Sequence, residues 1–181
     1  LLVIVVVYVF LQDIKSTLIP TISIFVSIIG TFAVMSLIGF SINLLTLFAL
    51  VLAIGTVVDD AIVVVEAVQA KFDEGYQSPV LAADDAMKGV SSAILTSTLI
   101  FMAVFFPVGM MGGTSGAFYT QFGITMAVAV GLSAVNALTL SPALCALILK
   151  PYLDENGEMR DNFAARFRKA FNAAFGVMVK K

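Results

Sequence analysis

The sequence has no histidine, no tryptophan and one cysteine, Cys145, in 181 residues. Each absence removes a class of chemistry. With no histidine and no cysteine cluster, no His/Cys metal site can be assembled. A lone thiol in an apolar stretch provides no disulfide framework and reads as a small buried hydrophobe. Charge is also scarce. Only 12% of residues are Asp, Glu, Lys or Arg, about half the share in a soluble domain. Apolar residues make up 60%, and mean hydropathy is +1.06. A water-soluble core of this size could not hide that much apolar surface, so lipid is the implied solvent. The net charge of −2 says little about partners, and no basic patch points to nucleic acid.

Hydropathy divides the chain into spans. Residues 1–11 are apolar but too short to cross a bilayer, which takes about 20 residues, and they read as the tail of a truncated span. Residues 18–38, 42–68, 90–108 and 122–149 each reach spanning length. Pro20 is expected in the first turn of its span, where a missing N–H is tolerated. The expected fold class is therefore all-α: a polytopic helical membrane protein fragment with its bundle over 1–149. Residues 150–181 form a separate segment. There Phe163, Phe167, Phe171 and Phe175 fall on one helical stripe over about 162–176. That pattern fits an amphipathic helix on the membrane surface, or one packed on another domain.

All ten Lys and Arg residues thread to one side: Lys15, Lys71, Lys88, Lys150 and the six that follow. The opposite loops, 39–41 and 109–121, carry no charge. By the positive-inside rule the charged side, including the C-terminal tail, is cytoplasmic.

Against this background Asp59 and Asp60 stand out in the middle of an apolar run. A carboxylate near the bilayer centre costs roughly 2.5–3.5 kcal/mol on insertion scales, and such residues usually mark an ion pathway, a proton relay or a buried pair. Lys71 follows Asp60 by eleven positions, about 16 Å along a helix. If Lys71 marks the interface, Asp60 lies near mid-membrane. A helix ending at Val58 would instead leave both aspartates at the interface. Adjacent helical residues differ by about 100° in direction, so the two carboxyls are near enough to titrate as a coupled pair. No basic residue lies inside any of the four spans. A cation is therefore expected from a helix outside this chain, with Gly55, one turn before Asp59, permitting its close approach.

Small residues recur at every fourth position in two spans, Ser23-Ser27-Thr31 and Gly123-Ala127-Gly131, a spacing that lets membrane helices pack closely. Ser91, Ser92, Thr96, Ser97 and Thr98 can bond across helices or back to their own backbone. With Asn136 they could also line a water or proton path. Gly109, Gly112, Gly113 and Gly116 follow no strand and read as a turn on the uncharged side, not a phosphate loop.

Gly55-Thr56-Val57-Val58-Asp59-Asp60-Ala61-Ile62-Val63-Val64-Val65-Glu66 resembles the fourth transmembrane helix of resistance-nodulation-division (RND) efflux pumps, in their hydrophobe/amphiphile multidrug branch. Gly39-Phe40-Ser41-Ile42-Asn43, Gly112-Gly113-Thr114-Ser115-Gly116-Ala117-Phe118-Tyr119 and Leu140-Ser141-Pro142-Ala143-Leu144-Cys145 extend the likeness over about residues 1–151. The resemblance implies the second to sixth helices of the first half of an RND transmembrane bundle. It implies a homotrimeric inner-membrane antiporter, a secondary transporter and not an enzyme, with protons as coupling ion and no other cofactor. Proton uptake would drive export of small amphiphilic compounds through a periplasmic adaptor and an outer-membrane channel. Asp59 and Asp60 match the family's proton-binding pair, whose counter-ion is a lysine in the second half. Heavy-metal members resemble this helix but lack the second aspartate, so Asp60 favours the multidrug branch. An intramembrane aspartyl protease would need its two aspartates on separate helices. A non-transporting scaffold with a buried structural pair remains a third alternative.

Overall fold

Asp13 starts the first long helix. Its Oδ2 accepts from the backbone N–H of Ser16 at 3.1 Å and from the Ser16 hydroxyl at 2.9 Å, satisfying donors that a helix start leaves open. The computed structural model describes residues 2–11, 13–113 and 115–151. Six helices run in order: α1 Leu2–Leu11, α2 Ile14–Leu37, α3 Leu44–Asp73, α4 Pro79–Gly109, α5 Gly116–Leu138 and α6 Leu140–Ile148. No strand occurs among the described residues, and four stretches are long and apolar enough to cross a membrane, the last comprising α5 and α6 together. The architecture is all-α and polytopic. The phenylalanine stripe of 162–176 lies outside the described residues.

Local chemistry explains the helix ends. Gly39 and Gly75 have φ of +76° and +102°, and each ends a helix in a left-handed cap. Gly75 N–H bonds Phe72 C=O and Tyr76 N–H bonds Lys71 C=O. Gly39 and Phe40 repeat this pattern on Ser36 and Met35. At the start of α3, Asn43 Oδ1 accepts from the N–H groups of Leu45 and Thr46 while Thr46 Oγ1 accepts from Asn43 N–H. This is a closed capping box.

Besides α5, which starts at Gly116 instead of 122, the helices depart clearly from the hydropathy boundaries in four places. Because Asp13 caps α2, Pro20 is an internal proline and not a first-turn residue as expected. Membrane helices tolerate such prolines, and the Thr17 and Thr21 hydroxyls back-bond to the carbonyls of Asp13 and Thr17. Secondly, α3 continues five residues past position 68. Thirdly, α4 starts at Pro79 instead of 90. Its first turns are too polar to register as a span, but they bury Ala82, Ala83 and Ala86. Lastly, the stretch 122–149 is two helices that meet at Thr139. Pro142 lacks an N–H for the carbonyl of Leu138 and crowds it, which ends α5 there.

At the centre of the bundle, α5 packs against α2, α3, α4 and α6, and α3 also touches α2, α4 and α6. The core combines Val57, Val64, Val65 and Val68 of α3 with Ile19 and Ile24 of α2, Ala134 and Ala137 of α5, and Cys145 of α6. Short polar contacts fasten both ends. At the uncharged end Asn43 Nδ2 donates to Gln121 Oε1, and Phe122 packs against Phe48 and Phe105 with ring centroids 6.3 and 6.2 Å apart. At the charged end Gln69 Nε2 donates to Ser16 Oγ at 2.7 Å. There Lys71 bridges Glu74 at 2.8 Å and Asp85 at 3.0 Å. Tyr76 also donates its hydroxyl to Asp85 at 3.0 Å, clamping the α3–α4 turn.

Candidate functional site

Asp59 and Asp60 occupy the centre of the 30-residue α3. The helix does not stop at Val58. It continues to Asp73, so the helix end that the interfacial alternative assumed is absent. Each carboxyl is therefore carried on regular backbone, far from either helix terminus.

The buried residues of α3 include Thr46, Leu50, Ala53, Val57, Ala61, Val64, Val68 and Phe72, spaced every three or four positions on one face. The opposite face is exposed along Phe48, Val51, Leu52, Gly55, Asp59, Val63 and Glu66. Asp59 lies on that open face and makes no hydrogen bond or ion pair with any described residue. Asp60, turned by about 100°, is half-buried and reaches α5. Its Oδ2 accepts from Ser133 Oγ at 2.6 Å. The same sequence doublet thus faces two environments.

Small residues allow α5 to come this close. Ala53 and Ala61 of α3, and Ala129 and Ala134 of α5, are all nearly or fully inaccessible. On its other side α5 presses on α4, where an added Cβ at Gly123 would stand 2.6 Å from Gly109 N and 2.7 Å from Phe105 O. The Gly123-Ala127-Gly131 repeat therefore faces α4. The fit is tight at Gly123 and loose at Gly131, where only the end of Met102 comes near. The α2 repeat faces inward: Ser23 lies 3.2 Å from the Ser141 hydroxyl, and Ser27 accepts from Asn136 Nδ2 at 2.8 Å. In α4, Ser91, Thr96, Ser97 and Thr98 all donate back to carbonyls of their own helix.

Gly55 is exposed, and a Cβ there would meet nothing within 4 Å. It packs against no described helix and belongs to the same open face as Asp59. Among the described residues no cation pairs with either aspartate; Lys71 and Lys88 are engaged at the charged end with Glu74, Asp84 and Asp85. No group of three or more His, Cys, Asp or Glu side chains gathers to hold a metal among the described residues. Sequence reasoning singles out Asn136 and passes over Ser133. The available signal was their spacing: both are polar, three apart, and share one face of an otherwise small and apolar helix.

The profile of the AcrB/AcrD/AcrF family covers residues 1–180. The chain belongs to the AcrB/AcrD/AcrF family. Among its relatives, the multidrug export protein AcrF of Escherichia coli K12 is 45% identical over 172 residues, which is 95% of this chain and 17% of AcrF. The multidrug resistance protein MdtF of Escherichia coli K12 is 44% identical over 171 residues, 94% of this chain and 16% of MdtF. The solvent-resistant pump membrane transporter SrpB of Pseudomonas putida is 42% identical over 171 residues, again 94% of this chain and 16% of the relative. The chain thus spans about one sixth of the length of these relatives. The likeness to RND multidrug pumps drawn from the aspartate helix holds across nearly the whole chain.

Proposed function

We propose that this chain carries the acidic half of the proton relay in a pump that exports small amphiphilic compounds by drug/proton antiport. The observation behind this reading is the pair Asp59 and Asp60 at the centre of an apolar 30-residue helix, with no cation beside either among the described residues. An unpaired carboxylate facing lipid is costly. The open face of α3 is therefore a contact surface for a further helix bundle, and that bundle supplies a basic residue opposite Asp59. The exposed Gly55 lets its helix approach. In the assembled site, burial and a neighbouring negative charge favour proton uptake, and a nearby cation favours release. The balance suits a group that binds and releases a proton in each cycle.

The chemistry requires no covalent step, which fits a secondary transporter rather than an enzyme, with the proton as coupling ion. Printed names of the relatives, a multidrug export protein and a solvent-resistant pump among them, support efflux of apolar or amphiphilic compounds. Lys15, Lys71, Lys88 and Lys150 lie at one end of the bundle, which supports a cytoplasmic location for that end and for the tail under the positive-inside rule. The reading extends to an inner-membrane homotrimer working with a periplasmic adaptor and an outer-membrane channel.

The test is Asp59→Asn and Asp60→Asn, made separately in the full-length pump. Both variants should reach the membrane in normal amounts and lose drug export together with drug-dependent proton movement. Export that survives either substitution at normal expression refutes the relay. A scaffold would keep its cellular role or misfold, with no specific loss of proton coupling.

A further inference from the structure

Hydroxyls in these helices have a default partner, their own backbone. Thr31, Thr98 and Thr139 each donate to the carbonyl four residues earlier, at 2.7, 2.7 and 2.6 Å. Ser133 departs from this pattern. It is 1% exposed, yet its hydroxyl leaves its own helix and donates to Asp60 on α3. Among the described residues it is the only side chain that hydrogen-bonds either aspartate.

The rotation of α5 that aims Ser133 is held from two sides. Asn136, three residues on, donates to the Ser27 hydroxyl of α2 at 2.8 Å. Towards the other end, Gly123 sits against the backbone of α4 at Gly109 and Phe105. A turn of α5 by one residue step, about 100°, would break both contacts and carry Ser133 away from Asp60.

We propose that Ser133 is a positioning residue of the site, resting on the proton-relay reading above, and that the Asn136–Ser27 bond keeps it aimed. Ser133 ties Asp60 to α5 and leaves Asp59 to face the rest of the pump, so the two carboxyls play unequal parts. While Asp60 is ionised its oxygen accepts from Ser133. When Asp60 takes a proton, that proton makes it a donor, and Ser133 keeps its own hydrogen throughout. The bond between α3 and α5 therefore changes with each proton bound, and α5 carries the change to α2 and α4.

The experiment uses the full-length pump. S133A should lower drug export at equal expression by about tenfold, the factor a well-formed hydrogen bond is worth, and Ser133→Thr should restore it. In purified protein, the fall in melting temperature caused by S133A should largely vanish in an Asp60→Ala background and persist in an Asp59→Ala background. Export by S133A equal to the unaltered pump, or the same thermal effect in both backgrounds, overturns the proposal. If S133A does not accumulate, Ser133→Cys, of similar volume and a weak donor, takes its place under the same criteria. Failure of the relay reading looks different: Asp60→Asn exports normally, and the proposal falls with it even where the thermal coupling is present.

Discussion

Gly123→Ala puts the packing of α5 to a direct test. An alanine Cβ at this position would stand 2.6 Å from Gly109 N, 2.7 Å from Phe105 O and 3.0 Å from Gly109 Cα. All three are backbone atoms, so no side chain can swing aside. Ordinary contact begins near 3.4 Å, so α4 and α5 must part by roughly 0.8 Å, a gap that forfeits a quarter to a half of the dispersion energy across it. The edge contact between Phe105 and Phe122, 6.2 Å between centroids, lies at the same crossing and loosens with it. Overpacking of this kind costs about 1–3 kcal/mol. Alanine also gains about 1 kcal/mol in helix propensity, so a control must carry the same gain. Gly89→Ala does so, because a Cβ at Gly89, inside α4, meets nothing within 4 Å. Thermal unfolding of the purified full-length protein, followed as loss of monodisperse material, should place Gly123→Ala below Gly89→Ala by several degrees. Equal stability of the two variants would refute the close crossing and with it the account of how α5 is held.

Two further outcomes follow from the helix ends. Asn43→Ala removes the acceptor for Leu45 and Thr46 N–H and the donor to Gln121 and should cost at least about 1 kcal/mol of stability; Asn43→Asp, which keeps the acceptor but not the donor, should recover the cap's share in the same thermal assay. The Tyr76 hydroxyl donates to Asp85, a bond lost on ionisation, which raises its pKa above the usual 10.0. A group raised in the folded state stabilises it fully below about pH 10 and loses that contribution as pH rises through the folded value. An ultraviolet titration, read as the difference from Tyr76→Phe, should show Tyr76 ionising later than free tyrosine and Asp85→Ala bringing it back. Ionisation at the ordinary value would show that the clamp does not form.

Much of this architecture was legible in composition because lipid imposes a simple rule. A spanning segment must be apolar over about 20 residues and satisfy its own backbone, and both demands are written locally. The spans and the cost of Asp59 and Asp60 could be seen that way. The first turns of α4 could not, because Asp84, Asp85 and Lys88 are solvated by ion pairs on one side while Ala82, Ala83 and Ala86 are buried on the other. A hydropathy average merges the two faces. Pro20 was misplaced because a single cap, Asp13, moved the start of α2.

The sequence alone determined that this chain is a set of membrane helices carrying two adjacent carboxyls within an apolar run. Apolar length and charge are properties of each segment by itself, so they can be read along the chain. Only the tertiary structure decided that the two aspartates differ. Whether a carboxyl meets Ser133 or open space depends on the rotation of α3 against α5. That rotation is set by the summed fit of Ala53, Ala61, Ala129 and Ala134, the Gly123 crossing and the Asn136–Ser27 bond. These residues lie far apart in the chain and act on one another only once the helices have packed.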